Sequence, residues 1–302
     1  GGMGEVWRAR HRMLIRPAAI KLIRPDRISS AGEGSANTMK RFEREAQATA
    51  ALHSPHTVEL WDYGVTQDGT LYYVMELLDG LDLDSFVNRF GPVPWDRAIY
   101  LLRQVCHSLH EAHQCGLIHR DIKPANVFIC RNGFDYDFVK VLDFGLVRRD
   151  GKTLEGETRL TSDGFVGGTP AFLPPEMALG KGEIDGRTDI YAVGCLSYWL
   201  VTGALVFEGS TPMELAMKHV HEAPVPPSKK TEMEIPEPLE ETILKCLEKD
   251  SAKRPQSASE LEQLLERCVN NISWGQAAAA KWWVSHMPNA EARFDPFTRD
   301  TE

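Results

Sequence analysis

What this sequence lacks narrows its function first. No run of about 18 apolar residues, the length that crosses a bilayer, occurs in its 302 residues. The best stretch, Cys195 to Phe207, is broken by Ser197, Thr202 and Gly203. The six cysteines (Cys106, Cys115, Cys130, Cys195, Cys246 and Cys268) form no C-x-x-C pair, which excludes a zinc ribbon or a thioredoxin-like redox motif. In a chain of this size they read as scattered thiols of a reducing compartment, so a cytoplasmic location is expected and Asn271-Ile272-Ser273 is no glycosylation site. A basic excess is missing too: 34 Lys and Arg stand against 43 Asp and Glu, for a net charge of −9. Nucleic acid and anionic membranes both reward clustered cations, so neither is the expected partner. Neither a signal peptide nor an initiating Met opens the chain, and its true N-terminus is expected elsewhere.

What is present is ordinary globular material, 42% hydrophobic and 25% charged, with no internal repeat. The first part reads as short strands around one helix. Strand patterns cover Glu5–Ala9, Ala18–Ile23, Thr57–Tyr63 and Leu71–Leu78, the last with an apolar run, Leu71 to Met75, that suggests burial on both faces. Lys40 to Leu52 is helical, with Phe42, Ala46 and Thr49 on one face, after a Ser/Gly/Asn-rich stretch from Arg24 to Met39 that reads as a loop. Helices dominate from Asp79 onward. Trp95 to Cys115 carries Ile99, Leu102, Val105, Leu109 and Ala112 at helical spacing and ends near Gly116, while Asp189 to Thr202 is apolar all round, as in a buried helix. Further helices are expected at Met213–His221, Leu239–Glu248 and Ala258–Cys268, and a short one around Trp282-Trp283.

Two motifs carry the chemistry. His119-Arg120-Asp121-Ile122-Lys123-Pro124-Ala125-Asn126 follows a helix and precedes the strand Val127–Ile129. Asp143-Phe144-Gly145 follows the strand Phe138–Leu142. Upstream stand a Gly-rich turn, Gly1-Gly2-Met3-Gly4, and a Lys-bearing strand, Ala18-Ala19-Ile20-Lys21. Each piece alone is a weak signal, and the ordered set is a strong one.

With these residues the chain resembles the protein kinase superfamily over about residues 1–270, and its wording is similar to bacterial serine/threonine kinases of the eukaryotic-like type. The fold this implies is α+β and two-lobed: an N-lobe at 1–78, a mainly helical C-lobe at 79–270 and a C-terminal tail at 271–302. By the same resemblance Gly1 and Gly4 match the later glycines of a G-x-G-x-x-G loop, with Gly2 between them, so the first strand of the fold is expected to be missing. The activity implied is transfer of the ATP γ-phosphate to Ser or Thr of protein substrates. The alternative is a pseudokinase scaffold, which would typically lack Lys21, Asp121 or Asp143; all three are here.

Phosphoryl transfer needs positioning and charge neutralisation more than covalent chemistry. Asp121 fits the carboxylate that orients the substrate hydroxyl, and Lys123 the cation that reaches the γ-phosphate. Asp143 and Asn126 supply the hard oxygen ligands that Mg²⁺, or Mn²⁺ in its place, requires. Lys21 fits the cation at the α/β-phosphates, with Glu45 as its expected partner and Glu43 second. The resemblance places adenine between Val6, Ala19 and Phe128, with Met75 as gatekeeper, Glu76 and Leu78 giving backbone hydrogen bonds, and Asp82 at the ribose. It implies that Asp189 braces the catalytic loop, that Glu176 pairs with Arg254, and that Thr169 marks serine/threonine specificity. Thr161, then Ser162 and Thr158, are the activation-loop residues whose phosphate Arg120 and Arg148 could bind. Two other patterns carry nothing. His107, His110, His113 and Cys115 drift around a helix, and Gly151-Lys152-Thr153 lacks the upstream glycine of a Walker loop. Trp282-Trp283 reads as a packing anchor for the tail.

Overall fold

The computed structural model describes residues 4–23, 35–144, 170–180, 182–268 and 274–287. Its first sheet has the order β1-β2-β4-β3, with β1 at Gly4–Arg10, β2 at Pro17–Ile23, β3 at Leu60–Val65 and β4 at Leu71–Glu76. All pairings are antiparallel. Helix α1, Ser35–Ala50, begins five residues earlier than its sequence pattern suggested, and it buries Phe42, Ala46 and Thr49 as a single stripe. The apolar run on β4 is not buried on both faces. Leu71, Tyr73 and Met75 are buried, whereas Tyr72, Val74 and Glu76 are half-exposed, the alternation of a sheet with only one covered face. That covered face meets Ala19, Ile23, Phe42 and Ala46 in a small core.

Two residues after β4 the chain enters a second sheet, β5-β6-β7, at Asp79–Asp82, Val127–Asn132 and Asp135–Val141. Gly80 makes this possible. A Cβ there would stand 2.0 Å from the Ile129 carbonyl oxygen, so only glycine lets β5 lie against β6. The strand itself had no sequence signal, nor had α2, Leu83–Phe90, which Asp82 caps. The larger core then forms around α3, Trp95–Gln114, and α5, Gly186–Thr202. The apolar positions anticipated on α3 are all buried, and α5 is buried on nearly every side, from Thr188 to Val201. Helices α4 (Pro175–Leu179), α6 (Pro212–His221), α7 (Glu237–Cys246), α8 (Ala258–Arg267) and α9 (Gln276–His286) complete the molecule. Among the described residues no helix is long and apolar enough to cross a membrane.

A seam joins the two sheets. Val58 N–H donates to the Val141 carbonyl at 3.0 Å, and Val141 N–H donates to the His56 carbonyl at 2.8 Å. The segment entering β3 is thereby fixed to β7, the strand that delivers Asp143.

Candidate active site

The octet 119–126 fills the loop between α3 and β6 and ends in a single 3-10 turn, Pro124–Asn126. Arg120 sits at φ 62°, a conformation a long side chain rarely adopts. Asp189, in the first turn of α5 and fully buried, holds it there. Its carboxylate accepts from Arg120 N–H at 2.7 Å, from His119 N–H at 2.8 Å and from His113 Nε2 at 2.8 Å. Burial alone would raise the Asp189 pKa. The His113 hydrogen bond and charge, with the His119 backbone N–H, hold it below the ordinary carboxylate value. His113 is thus a brace for the loop, while His107 bonds Ser54 Oγ at 2.9 Å, so these two histidines serve different neighbours.

Asp121 follows directly. Its Oδ2 accepts from Lys123 Nζ at 2.8 Å and from Asn126 Nδ2 at 2.9 Å, and the same amide nitrogen donates to the Asp121 carbonyl at 2.8 Å. Both amide N–H directions of Asn126 point at Asp121, which leaves its carbonyl oxygen as the atom able to meet a cation. The buried His119 ring donates from Nε2 to the Leu142 carbonyl at 2.7 Å, and Leu142 N–H donates to the Asn126 carbonyl at 2.9 Å. These bonds stitch the octet to the segment carrying Asp143.

Asp143 lies at φ 59°, with Oδ2 paired to Lys21 Nζ and Oδ1 accepting from the Tyr73 phenol. Burial would raise its pKa, but the Lys21 charge and hydrogen bond, then the Tyr73 hydrogen bond, keep it below the ordinary value. Burial, then the adjacent Asp143 charge, pushes the Tyr73 phenol well above its own, so it serves as a donor. The expected pairing of Lys21 with Glu45 is replaced here. Among the described residues, the ion pair made by Lys21 is to Asp143. The physical reason is convergence: the seam on β7 brings the Asp143 carboxylate to the Lys21 ammonium. Glu45 is half-buried on α1 and Glu43 is exposed.

Of the nucleotide-slot residues, Ala19 and Met75 face each other across β2 and β4 and are buried, while Val6 on β1 is 60% exposed. Phe128 is half-buried on β6, opposite Asp82 on β5. The Asp82 carboxylate caps α2, accepting from Ser85 N–H at 2.8 Å and Ser85 Oγ at 2.7 Å. Leu78 lies in the link between the two sheets, half-buried. The Glu76 side chain accepts from Lys140 Nζ at 2.6 Å, a pair across the sheets that the sequence did not suggest. Further down, the Arg254 guanidinium, 1% exposed, forks onto both Glu176 oxygens at 2.9 and 2.8 Å. Its remaining N–H groups reach the Glu248, Arg187 and Lys249 carbonyls. Gly1, Gly2, Thr158, Thr161, Ser162, Thr169 and Arg148 lie outside the described residues, and Gly4 opens β1.

The protein kinase domain family matches residues 1–267. The chain belongs to the protein kinase family. This kinase domain is 39% identical over 267 residues to the serine/threonine-protein kinase pkn3 of Myxococcus xanthus, covering 88% of the chain and 48% of that protein. It is 40% identical over 283 residues to the serine/threonine-protein kinase PknB of Mycolicibacterium smegmatis, covering 93% of the chain and 42% of that protein. The chain therefore spans less than half the length of these relatives. Among solved structures, Rad53 in complex with AMP-PNP aligns at a TM-score of 0.69 and 27% identity, over 87% of this chain and 61% of that one. A mutant PknI kinase domain of Mycobacterium tuberculosis aligns at a TM-score of 0.67 and 24% identity, over 89% of this chain and 91% of that one, a likeness of fold. The two-lobed α+β architecture implied by the sequence resemblance is the one these neighbours share.

Proposed function

We propose that this kinase domain transfers the γ-phosphate of ATP to serine or threonine hydroxyls of protein substrates, and that its relatives' signalling role is its own. The carrying observation is the hydrogen-bonded set of Asp121, Lys123 and Asn126, stitched through Leu142 to the segment whose Asp143 pairs with Lys21. In the reaction the substrate hydroxyl oxygen bonds to the γ-phosphorus as the bond to the β,γ-bridging oxygen breaks, and ADP leaves. Asp121 takes the hydroxyl proton, held at the right angle by Asn126. Lys123, within the same hydrogen-bonded set, is placed to balance the charge on the moving phosphoryl group. Lys21 holds the α/β-phosphates once it exchanges Asp143 for them. Asp143 and the Asn126 carbonyl oxygen form a hard-oxygen donor set suited to Mg²⁺, which when bound neutralises phosphate charge. Ala19, Met75 and Phe128 are the residues we assign to the adenine ring, on the family resemblance.

The test is incorporation of γ-phosphate into a generic protein substrate, compared with Asp121→Asn. That substitution keeps the hydrogen bonds' shape but removes the proton acceptor, so kcat should fall by about 10²–10⁴ while AMP-PNP binding is retained. Near-normal turnover in the variant would remove Asp121 from this role. Binding of AMP-PNP without turnover by the parent chain would favour the scaffold reading.

A further inference from the structure

Lys21 and Tyr73 are directly opposed in the register of β2 and β4, so their side chains leave the same face of the sheet side by side. Lys21 Nζ lies 5.7 Å from the centre of the Tyr73 ring, and both groups end on one carboxylate, Lys21 on Oδ2 and Tyr73 on Oδ1 of Asp143. Each oxygen of the acid is thereby engaged by a protein donor. The two donors differ in what they could do next. Lys21 is a long, flexible cation with nucleotide phosphates as an alternative partner. The Tyr73 ring is 1% exposed, set in the core with Ala19, Phe42, Ala46 and Met75, and among the described residues Asp143 is the partner of its phenol. Withdrawing Asp143 from it strands a buried hydroxyl, a cost that Lys21 does not incur.

We propose that Tyr73 acts as a gate on Asp143: its phenol competes with the metal ion for the carboxylate and holds the nucleotide-free domain in a metal-off arrangement. This rests on the reading of Asp143 as a metal-binding residue. A metal–nucleotide complex then binds only the fraction of molecules in which Asp143 has left Tyr73, so its apparent affinity is reduced by that fraction. Tyr73 is a positioning residue here, acting through Asp143. Phenylalanine at this position would keep the ring in its core and take away the competing donor.

The experiment measures Mn²⁺ binding in the presence of saturating AMP-PNP, by the loss of the free-ion electron paramagnetic resonance signal, alongside the thermal midpoint without metal or nucleotide. Tyr73→Phe should bind Mn²⁺ about three- to tenfold more tightly, the scale of one hydrogen bond to a charged group shared between two states. Its ligand-free midpoint should fall. These opposite signs mark the gate, because a tyrosine that only packs or only orders the site would weaken both. Tyr73→Met, which likewise lacks the phenol donor, should show the same pair of signs; weaker Mn²⁺ binding in both variants overturns the gate. Unchanged or weaker Mn²⁺ binding in Tyr73→Phe overturns the gate. Asp143→Asn separates the two layers of the argument. If it binds Mn²⁺ like the parent, the metal reading of Asp143 fails and the gate fails with it. If it loses Mn²⁺ while Tyr73→Phe gains none, the gate alone is wrong.

Discussion

Asp189 and Arg254 show how single buried charges hold this molecule in shape. Arg254 is tolerated because its five N–H groups each have an acceptor, so neither lost packing nor lost charge describes its removal alone. Asp189 works in the opposite sense, collecting donors from His113 and from two backbone amides that would otherwise be orphaned under the catalytic loop. Asn in its place has one acceptor oxygen and turns an N–H toward one of those donors. Asp189→Asn should cost about 2–4 kcal/mol at pH 7, with kcat lowered because Arg120 loses its restraint at positive φ. The folded Asp189 pKa lies below its ordinary value of 3.8, so the contribution of its charge is complete above that pH. It is lost as acid takes the pH down through the folded value. Denaturant melts of parent and variant should therefore show a constant gap from pH 7 to about pH 4 that closes only below it.

The tail helix α9 is the element whose docking the sequence least explains. Two tryptophans near the chain end read as an anchor, and the structure supplies their target. Asp137, fully buried at φ 50°, accepts from Arg97 at 2.9 and 2.7 Å, from Trp274 Nε1 at 2.9 Å and from Trp283 Nε1 at 2.7 Å. Arg97 also lies 4.1 Å from the Trp282 ring centre, a cation–π contact inside the same cluster. Trp283 is 1% exposed, so α9 closes the floor of the larger core rather than trailing from it. Trp283→Phe keeps an aromatic ring and removes one charge-assisted bond, an expected loss of about 1.5–3 kcal/mol. Asp137→Ala strands Arg97 without its counter-charge and should cost about 3–5 kcal/mol, read from urea midpoints. A smaller effect for Asp137→Ala than for Trp283→Phe would show that the acid is not what the tail grips.

Across the whole molecule, burial keeps several imidazoles neutral. Burial lowers His56 and His219 to about 4, helped in each case by nearby cationic side chains, and it also lowers the fully buried His119. In the unfolded chain these rings titrate near 6.5. Between about pH 6.5 and pH 4 the unfolded chain therefore binds protons that the folded one refuses. Stability is fully present above that window and falls as pH drops through it. Each such histidine adds up to about 1.4 kcal/mol per pH unit to the slope. His219→Gln should flatten the dependence of the urea midpoint between pH 6.5 and pH 5; a slope equal to the parent's would show that His219 accepts a proton while folded.

Local pattern and spacing by themselves determined the family resemblance, the two-part β-then-α order and the long helices. Such features depend on residues near one another in the chain, as with the face of α3 or the octet from His119 to Asn126. Among the site residues that the sequence suggests, Asp121, Asn126, Asp143 and Lys21 are those whose chemistry is fixed by residue type. What only the tertiary structure decided were the pairings between distant segments. Lys21 meets Asp143 rather than Glu45, Tyr73 shares that carboxylate, Lys140 crosses to Glu76, and Asp137 gathers Arg97 and the tail. A strand register and the seam on β7 create those contacts. Neither leaves a local mark, because a hydrogen bond between residues 70 positions apart is set by how whole sheets and helices pack, and not by the sequence around either partner.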